Sequence, residues 1–285
     1  MKKFVSIMLA LAMSISLAAC SADSSSDDSS DSRSSSDAAS GEKVVKIGVF
    51  EPATGDSGAG GKQEMLGMQY ANHMTPTVDI GGETYKVELV YADNGSDSAK
   101  APTAASELVS KDVSLVLGTY GSSCAMAGGP IFGEAGLAAI GVTCTNPQVT
   151  SDYDCYFRIC FTDPFQGPAL ASYAYEGLGV TTAYTLAMLG SDYDQGLVHY
   201  FTEAFEALGG TVISEDFPEG NANFVSYINN AKSAGAGVIF APVSTNYAQL
   251  IIEAASAQGY EGSLLGSDTW DNNKVAESTV GKNVS

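Results

Sequence analysis

From residue 44 onward the chain repeats one pattern. A short apolar run of strand length is followed by a longer stretch whose apolar residues recur every three or four positions. Val44 to Phe50 predicts a strand, and the loop Glu51 to Gly60 leads into a helix from Gly61 to Met74 with Leu66, Tyr70 and Met74 on one face. Strands are predicted at Tyr85 to Ala92, Val113 to Leu117 and Leu137 to Val142, with helices at Ser96 to Lys111 and Ser122 to Glu134. Tyr156 to Phe161 is a further extended piece, and Asp163-Pro164 opens a helix that runs to Leu178. A second series follows: strands at Thr182 to Leu189, Thr211 to Phe217, Gly237 to Ala241 and Ser263 to Gly266. Helices fall between them at Asp192 to Leu208, Asn221 to Ala234 and Asn246 to Gln258. Strand and helix alternating with crossovers of this length predict an α/β fold of parallel sheets wound with helices on both sides. One series ends and the next begins between Phe161 and Gln166.

The stretch Leu115 to Pro130 carries the sharpest local signal. A buried strand breaks at Gly118 and Gly121, which allow a tight turn, and Ser122 and Ser123 then open a helix. Such a turn presents free backbone N–H groups and a positive dipole end, which suits a small anion. The plainer alternative is that Ser122 only caps its helix. Other polar residues also fall at strand C-terminal ends, where ligands bind in open parallel sheets. They are Thr143, Cys144 and Thr145; Tyr193; Ser244 and Thr245; and Asp268 and Trp270. Two sheets supply these ends, so the residues can meet in a cleft between two lobes, although several can serve as helix caps instead.

Composition narrows the partners. A chain of 285 residues is long enough for two domains, and its net charge of −20 argues against nucleic acid or an anionic membrane surface. A local dipole can still hold an anion inside so acidic a protein. The two histidines, His73 and His199, have no ligand-type neighbours at metal spacing and read as helix-surface residues, so neither a zinc site nor any other metal is expected.

The N-terminus reads as an address. Met1-Lys2-Lys3 is basic, and Phe4 to Ala19 is apolar but short for a membrane span, which makes residues 1–19 an export signal. Its end, Leu17-Ala18-Ala19-Cys20, resembles the bacterial lipobox, which implies cleavage before Cys20 and lipid on that cysteine. Residues 20–43, mostly Ser, Asp and Ala up to Gly41, read as a disordered tether. The folded part is then anchored at the outer face of the cytoplasmic membrane rather than spanning it. The remaining four cysteines, Cys124, Cys144, Cys155 and Cys160, allow three full pairings in an oxidising compartment. Cys144 and Cys160 lie on elements expected to be neighbours, so a Cys144–Cys160 disulfide is expected, the alternative being four buried small apolar residues.

Enzyme motifs fail. The loop before Gly61-Lys62-Gln63 lacks the first glycine and the Ser/Thr of a P-loop, no Gly-x-Gly-x-x-Gly dinucleotide fingerprint occurs there, and Gly-x-Ser-x-Gly is absent around Ser122. A doubly wound enzyme is therefore disfavoured, and no cofactor is expected.

The order of residues is nonetheless familiar. Lys-Ile-Gly-Val-Phe-Glu-Pro-Ala-Thr-Gly from Lys46, Gly61 to Gly67, Leu-Gly-Thr-Tyr-Gly-Ser-Ser from Leu117 and Thr-Asn-Pro-Gln-Val-Thr from Thr145 form one series. Phe-Arg-Ile-Cys-Phe-Thr-Asp-Pro-Phe-Gln-Gly from Phe157 and Gly-Ser-Asp-Thr-Trp from Gly266 continue it. Together they resemble the leucine/isoleucine/valine-type substrate-binding proteins of ABC transporters, over a span from Val44 to the end. The resemblance implies the periplasmic-binding protein type 1 fold, here a first lobe at 44–162 and a second at 163–285, closing on a ligand. It implies capture of a small zwitterion, an amino acid of branched-chain type, and delivery to a membrane permease without chemistry. Ser122 and Thr145, with Thr143 as a backbone contact, would hold carboxylate and ammonium, and Tyr193 and Asp268 would join from the second lobe. Ser123 stands beside them at the same turn. Two positions depart from the family: Gly60 replaces an aromatic that lines the side-chain pocket, and Val243 replaces a second-lobe tyrosine. Tyr120 is positioned to fill part of the gap. The family chain is longer and returns to complete the first lobe, so the C-terminal part is expected to be missing beyond Ser285. A urea or short-amide ligand, which would not need Asp268, and a ligand-sensing receptor module remain the alternatives.

Overall fold

The computed structural model describes residues 42–279. The export signal, Cys20 and nearly all of the tether lie outside the described residues. The first half contains β1 (Val44–Glu51), α1 (Gly58–Met74), β2 (Thr77–Ile80), β3 (Glu83–Asp93), α2 (Ala101–Ser110), β4 (Leu115–Leu117), α3 (Ser122–Glu134), β5 (Ala139–Gly141), α4 (Gln148–Ser151) and β6 (Tyr156–Arg158). Its sheet runs β2-β3-β1-β4-β5-β6. The chain then passes through α5 (Asp163–Ser172), which continues as a π-helical turn at Tyr173–Gly177, into β7 (Thr182–Met188), α6 (Asp192–Ala207), β8 (Thr211–Phe217), α7 (Val225–Ser233), β9 (Val238–Phe240), α8 (Thr245–Ala257) and β10 (Ser263–Leu265). The second sheet runs β10-β9-β7-β8, and a 3-10 turn at Asp268–Trp270 and α9 (Asn273–Ser278) follow it.

All pairings in both sheets are parallel except one. That exception, β2 with β3, is an antiparallel hairpin that the alternating pattern did not announce. Its two-residue turn is Gly81-Gly82, both at positive φ, the backbone a tight hairpin requires. The signal was therefore present as a Gly-Gly pair between Val78-x-Ile80 and the next strand. Two helices also start later than the pattern suggested. Ser96 sits at positive φ, and Asn223 Oδ1 accepts the Val225 N–H, so α2 and α7 begin only after these turns.

Each half has its own apolar centre. In the first, Phe50, Val116, Phe132, Ala139 and Tyr156 pack with α2 and α3, and Phe50 meets Phe132 edge to face at 5.3 Å. In the second, one face of the sheet packs on α7 and α8 around Tyr184, Phe217, Ile239 and Ile251. The other face packs on α5 and α6, where Phe201 stacks on Phe240 at 4.3 Å. The apolar stripe of α1 behaves differently. Leu66, Tyr70 and Met74 are 66%, 65% and 62% exposed, while Gly58, Gly60, Gly61 and Met68 are buried. The helix meets the fold through its small N-terminal residues, so the large side chains on that face turn outward.

The expected Cys144–Cys160 disulfide is not formed: all four cysteines are free. The Cys144 sulfur is buried beneath Gly141, where an added Cβ would lie 2.1 Å from it, whereas Cys160 stays partly open to solvent. Cys144 thus packs as a small apolar residue under the β5 end. Burial pushes its thiol up to about 12, which keeps it protonated.

Candidate functional site

Because the sheets are parallel, strand C-termini and helix N-termini gather at one end of each half, and these ends face each other across a cavity of about 280 Å³. That volume lies just below the range of drug-sized ligand pockets, about 300 to 1,000 Å³, and suits a small ligand. Of the residues singled out from sequence, Tyr120, Ser122, Ser123, Thr143, Tyr193 and Asp268 all line it. Thr145 does not. It is fully buried behind the lining, its carbonyl accepting the Asp163 N–H at 3.2 Å and its side chain beside the Asp163 carboxyl. Val243 is also fully buried in the second core and does not line the cavity.

The serines are not caps. Gly121 holds the N-cap position of α3, and no side chain there accepts from the helix. Ser122 Oγ instead accepts the Asn146 N–H at 3.2 Å, tying α3 to the loop after β5. Ser123 Oγ accepts the Asp192 N–H at 2.9 Å, and Asn146 Nδ2 donates to the Asp192 carbonyl at 2.9 Å. These two bonds join the halves at the start of α6. The first-turn N–H groups of α3 have no intrahelical acceptor, and the residues that carry them, Ser122, Ser123 and Cys124, line the cavity, which suits an anion there.

The second half contributes Asp268. Tyr193 Oη donates to its carboxylate and lies 2.8 Å from Ser267 Oγ. Burial raises the Asp268 carboxyl above its ordinary value, while hydrogen bonds from Tyr193 and Gln166 pull against that rise. Asp56, Ser96, Asp194, Glu219, Ser244 and Tyr247 contribute further lining that the strand-end reading mostly passed over. Asp194 had a signal: Ser191-x-x-Asp194 is a capping pair, with Ser191 accepting the Asp194 N–H while Asp194 accepts from Ser191 Oγ and the Met188 N–H. None of the lining residues is Lys, Arg or His, against five carboxylates. The arrangement can therefore place a carboxylate at the α3 N-terminus and a cation at Asp268.

Gly60 explains Tyr120. A Cβ at Gly60 would lie 2.4 Å from Tyr120 Cε2, so the phenol occupies the space that an aromatic at 60 would otherwise take. Gly60→Ala should swing the ring out of place, costing about 1–3 kcal/mol of folding free energy, the usual cost of one overpacked methyl, and weakening ligand binding with it. Calorimetric titration beside a melting curve checks this; a lower Tm with unchanged affinity would contradict it.

A model of the family described as periplasmic binding protein matches residues 44–280. This chain belongs to that family. An "amino acid binding protein" of Pseudomonas aeruginosa is 31% identical over 202 residues, covering 69% of this chain and 53% of the relative. Among solved structures, a leucine-binding protein of Thermotoga maritima superposes with a TM-score of 0.78 at 33% identity, covering 82% of this chain and 66% of that one. A branched-chain amino acid transporter substrate-binding protein of Streptococcus pneumoniae, solved with isoleucine, superposes at 0.76 with 26% identity, covering 85% and 70%. The chain thus spans about half the length of the Pseudomonas relative, 53%. The fold is the type 1 periplasmic-binding fold of these neighbours, whose names are those of solute-binding proteins rather than enzymes. No helix among the described residues is long and apolar enough to cross a membrane.

Proposed function

We propose that this chain is the extracytoplasmic solute-binding component of an ABC transporter, that it captures an amino acid by closure of its two lobes, and that it hands the ligand to a membrane permease without chemistry. The observation that carries this reading is Asp268. A carboxylate held by Tyr193 in the second half faces the open N-terminus of α3 in the first. An α-amino acid presents a carboxylate and an ammonium two bonds apart, and this pair of poles matches it. Because the poles come from different lobes, both contacts form only when the lobes close, which couples loading to shape. The relatives named for amino acids and for leucine support the same ligand class.

A thermal-shift panel tests the reading: the twenty L-amino acids, urea, acetamide, and benzoate as a carboxylate with no ammonium, each added to the full chain. A ligand that binds only the native state raises Tm. An aliphatic amino acid should give the largest shift; a shift with urea or acetamide alone would favour the uncharged-ligand alternative.

The same proposal includes a lipid on Cys20, supported by the Leu17-Ala18-Ala19-Cys20 sequence and the Ser/Asp-rich stretch behind it. Cys20→Ala should release the protein from the membrane fraction or leave it unprocessed. Mass spectrometry finding an intact, unmodified Cys20 on membrane-bound wild type would contradict the anchor.

A further inference from the structure

Behind the first-half wall of the cavity lie two carboxyls that the ligand reading does not use. Glu51 ends β1 and is almost completely buried; Glu64 comes from α1. Glu51 Oε2 accepts the Tyr120 N–H at 2.8 Å. Glu64 Oε1 accepts the Thr143 hydroxyl. The other oxygen of each, Glu51 Oε1 and Glu64 Oε2, is shut off from solvent and receives no donor from the rest of the described protein. These two carboxyls are hydrogen-bonding neighbours. Gly118 leaves the room for the arrangement, since a Cβ there would lie 2.7 Å from Glu51 Oε1.

We propose that Glu51 and Glu64 share one proton and act as positioning residues for the ligand cavity, Glu51 holding Tyr120 and Glu64 holding Thr143. Two buried oxygens without donors, one on each of two neighbouring carboxyls, are satisfied at once by a single shared proton, whereas two bare carboxylates would repel and leave both unpaired. The surroundings favour retention of that proton. Among the described residues, Asp268 acts on Glu64, and Tyr120, Tyr156, Cys124, Cys144 and Cys160 lie within the field of the pair; none of these six carries positive charge. Burial, and for Glu51 the charge of Glu64, keep both carboxyls above the ordinary range. The pair titrates as one unit.

Between the ordinary carboxyl value and the raised one, the folded chain holds a proton that the unfolded chain has lost. Stability therefore falls as pH rises through that interval. A glutamine at either position supplies an N–H donor in place of the shared proton at every pH and removes the fall. The walls it supports should also hold their places at alkaline pH.

The test is the Tm of the full-length wild type, Glu64→Gln and Glu51→Gln from pH 5 to pH 9, with calorimetric affinity for L-leucine at both ends. Either variant should gain on wild type by about 3–5 °C for each pH unit climbed within the interval. Wild type should lose leucine affinity several-fold at the alkaline end, while the variants stay level. Tm curves that run parallel in all three proteins would overturn the shared proton. Glu51→Gln replaces the pair from the opposite side, so it decides the matter if Glu64→Gln does not fold. The binding arm rests on the ligand reading above, but the Tm arm does not. If leucine fails to bind wild type at any pH while the curves diverge, the ligand reading falls and the proton-sharing pair stands.

Discussion

Asp268→Ala is expected to cost about 2–5 kcal/mol of amino-acid binding, because it strands a desolvated ammonium without its counter-charge. The effect should be of that size because Asp268 is the lining carboxylate that Tyr193 holds in place opposite the α3 N-terminus. Tyr193 and Ser267 are built to hold the Asp268 carboxylate, and neither carries charge that could replace it. Asp268→Asn is the sharper control. It keeps the shape and an acceptor for the Tyr193 hydroxyl and removes only the charge, so it should lose most of the same affinity with little change in Tm. Ser122→Ala should cost less, since the α3 N–H donors remain and the lost bond is the one from the Asn146 N–H. Calorimetry of all three variants decides the ordering. Equal, small losses throughout would mean that no ammonium sits at Asp268.

The second large effect is expected at Arg158, on the last residue of β6. Its guanidinium donates to the carbonyls of Cys144 at 3.0 Å, Asn146 at 2.8 Å and Pro147 at 3.0 Å, and to Thr150 Oγ1 at 2.7 Å. These four acceptors lie between β5 and the end of α4, the segment that carries Thr143 to the cavity and Asn146 to its bonds with Ser122 and Asp192. A planar fork with several donors can gather a loop's carbonyls in this way; a lysine ammonium cannot reproduce the geometry. Arg158→Ala leaves three carbonyls without their charged donor and should cost about 2–4 kcal/mol of folding free energy. That corresponds to a fall in Tm of about 5–15 °C in a chain of this length. Arg158→Lys should recover only part of it. Urea unfolding checks the assignment: the midpoint should drop with the slope unchanged, and a changed slope would point to a different unfolded state instead.

The elements that carry the site were largely legible because their signals are local. α3 begins at Ser122 and ends at Glu134, and β8 runs from Thr211 to Phe217, where the pattern put them. Strand-end polarity found Tyr193 and Asp268, since position at a parallel strand's C-terminus depends only on where the strand stops. What failed depends on separations the pattern does not encode. The Thr143–Glu64 bond joins residues 79 apart, and the Tyr120–Glu51 bond joins residues 69 apart, so neither acid announced its role. Arg158 looked like one charge in an extended piece, because its partners are backbone carbonyls, and a carbonyl has no residue type to read. Thr145 was expected in the lining, but the chain turns it inward to Asp163 two residues past Thr143. The stripe on α1 misled for a different reason: periodicity reports that a face is apolar, not that something covers it.

A crystal structure of the full chain grown with the amino acid that gives the largest thermal shift tests the two-pole site. That ligand should lie in the cavity between the sheets, its ammonium on Asp268 and its carboxylate at the N–H groups of α3, with the side chain against Tyr120. A ligand seated elsewhere, or turned so that its carboxylate faces Asp268, would contradict it.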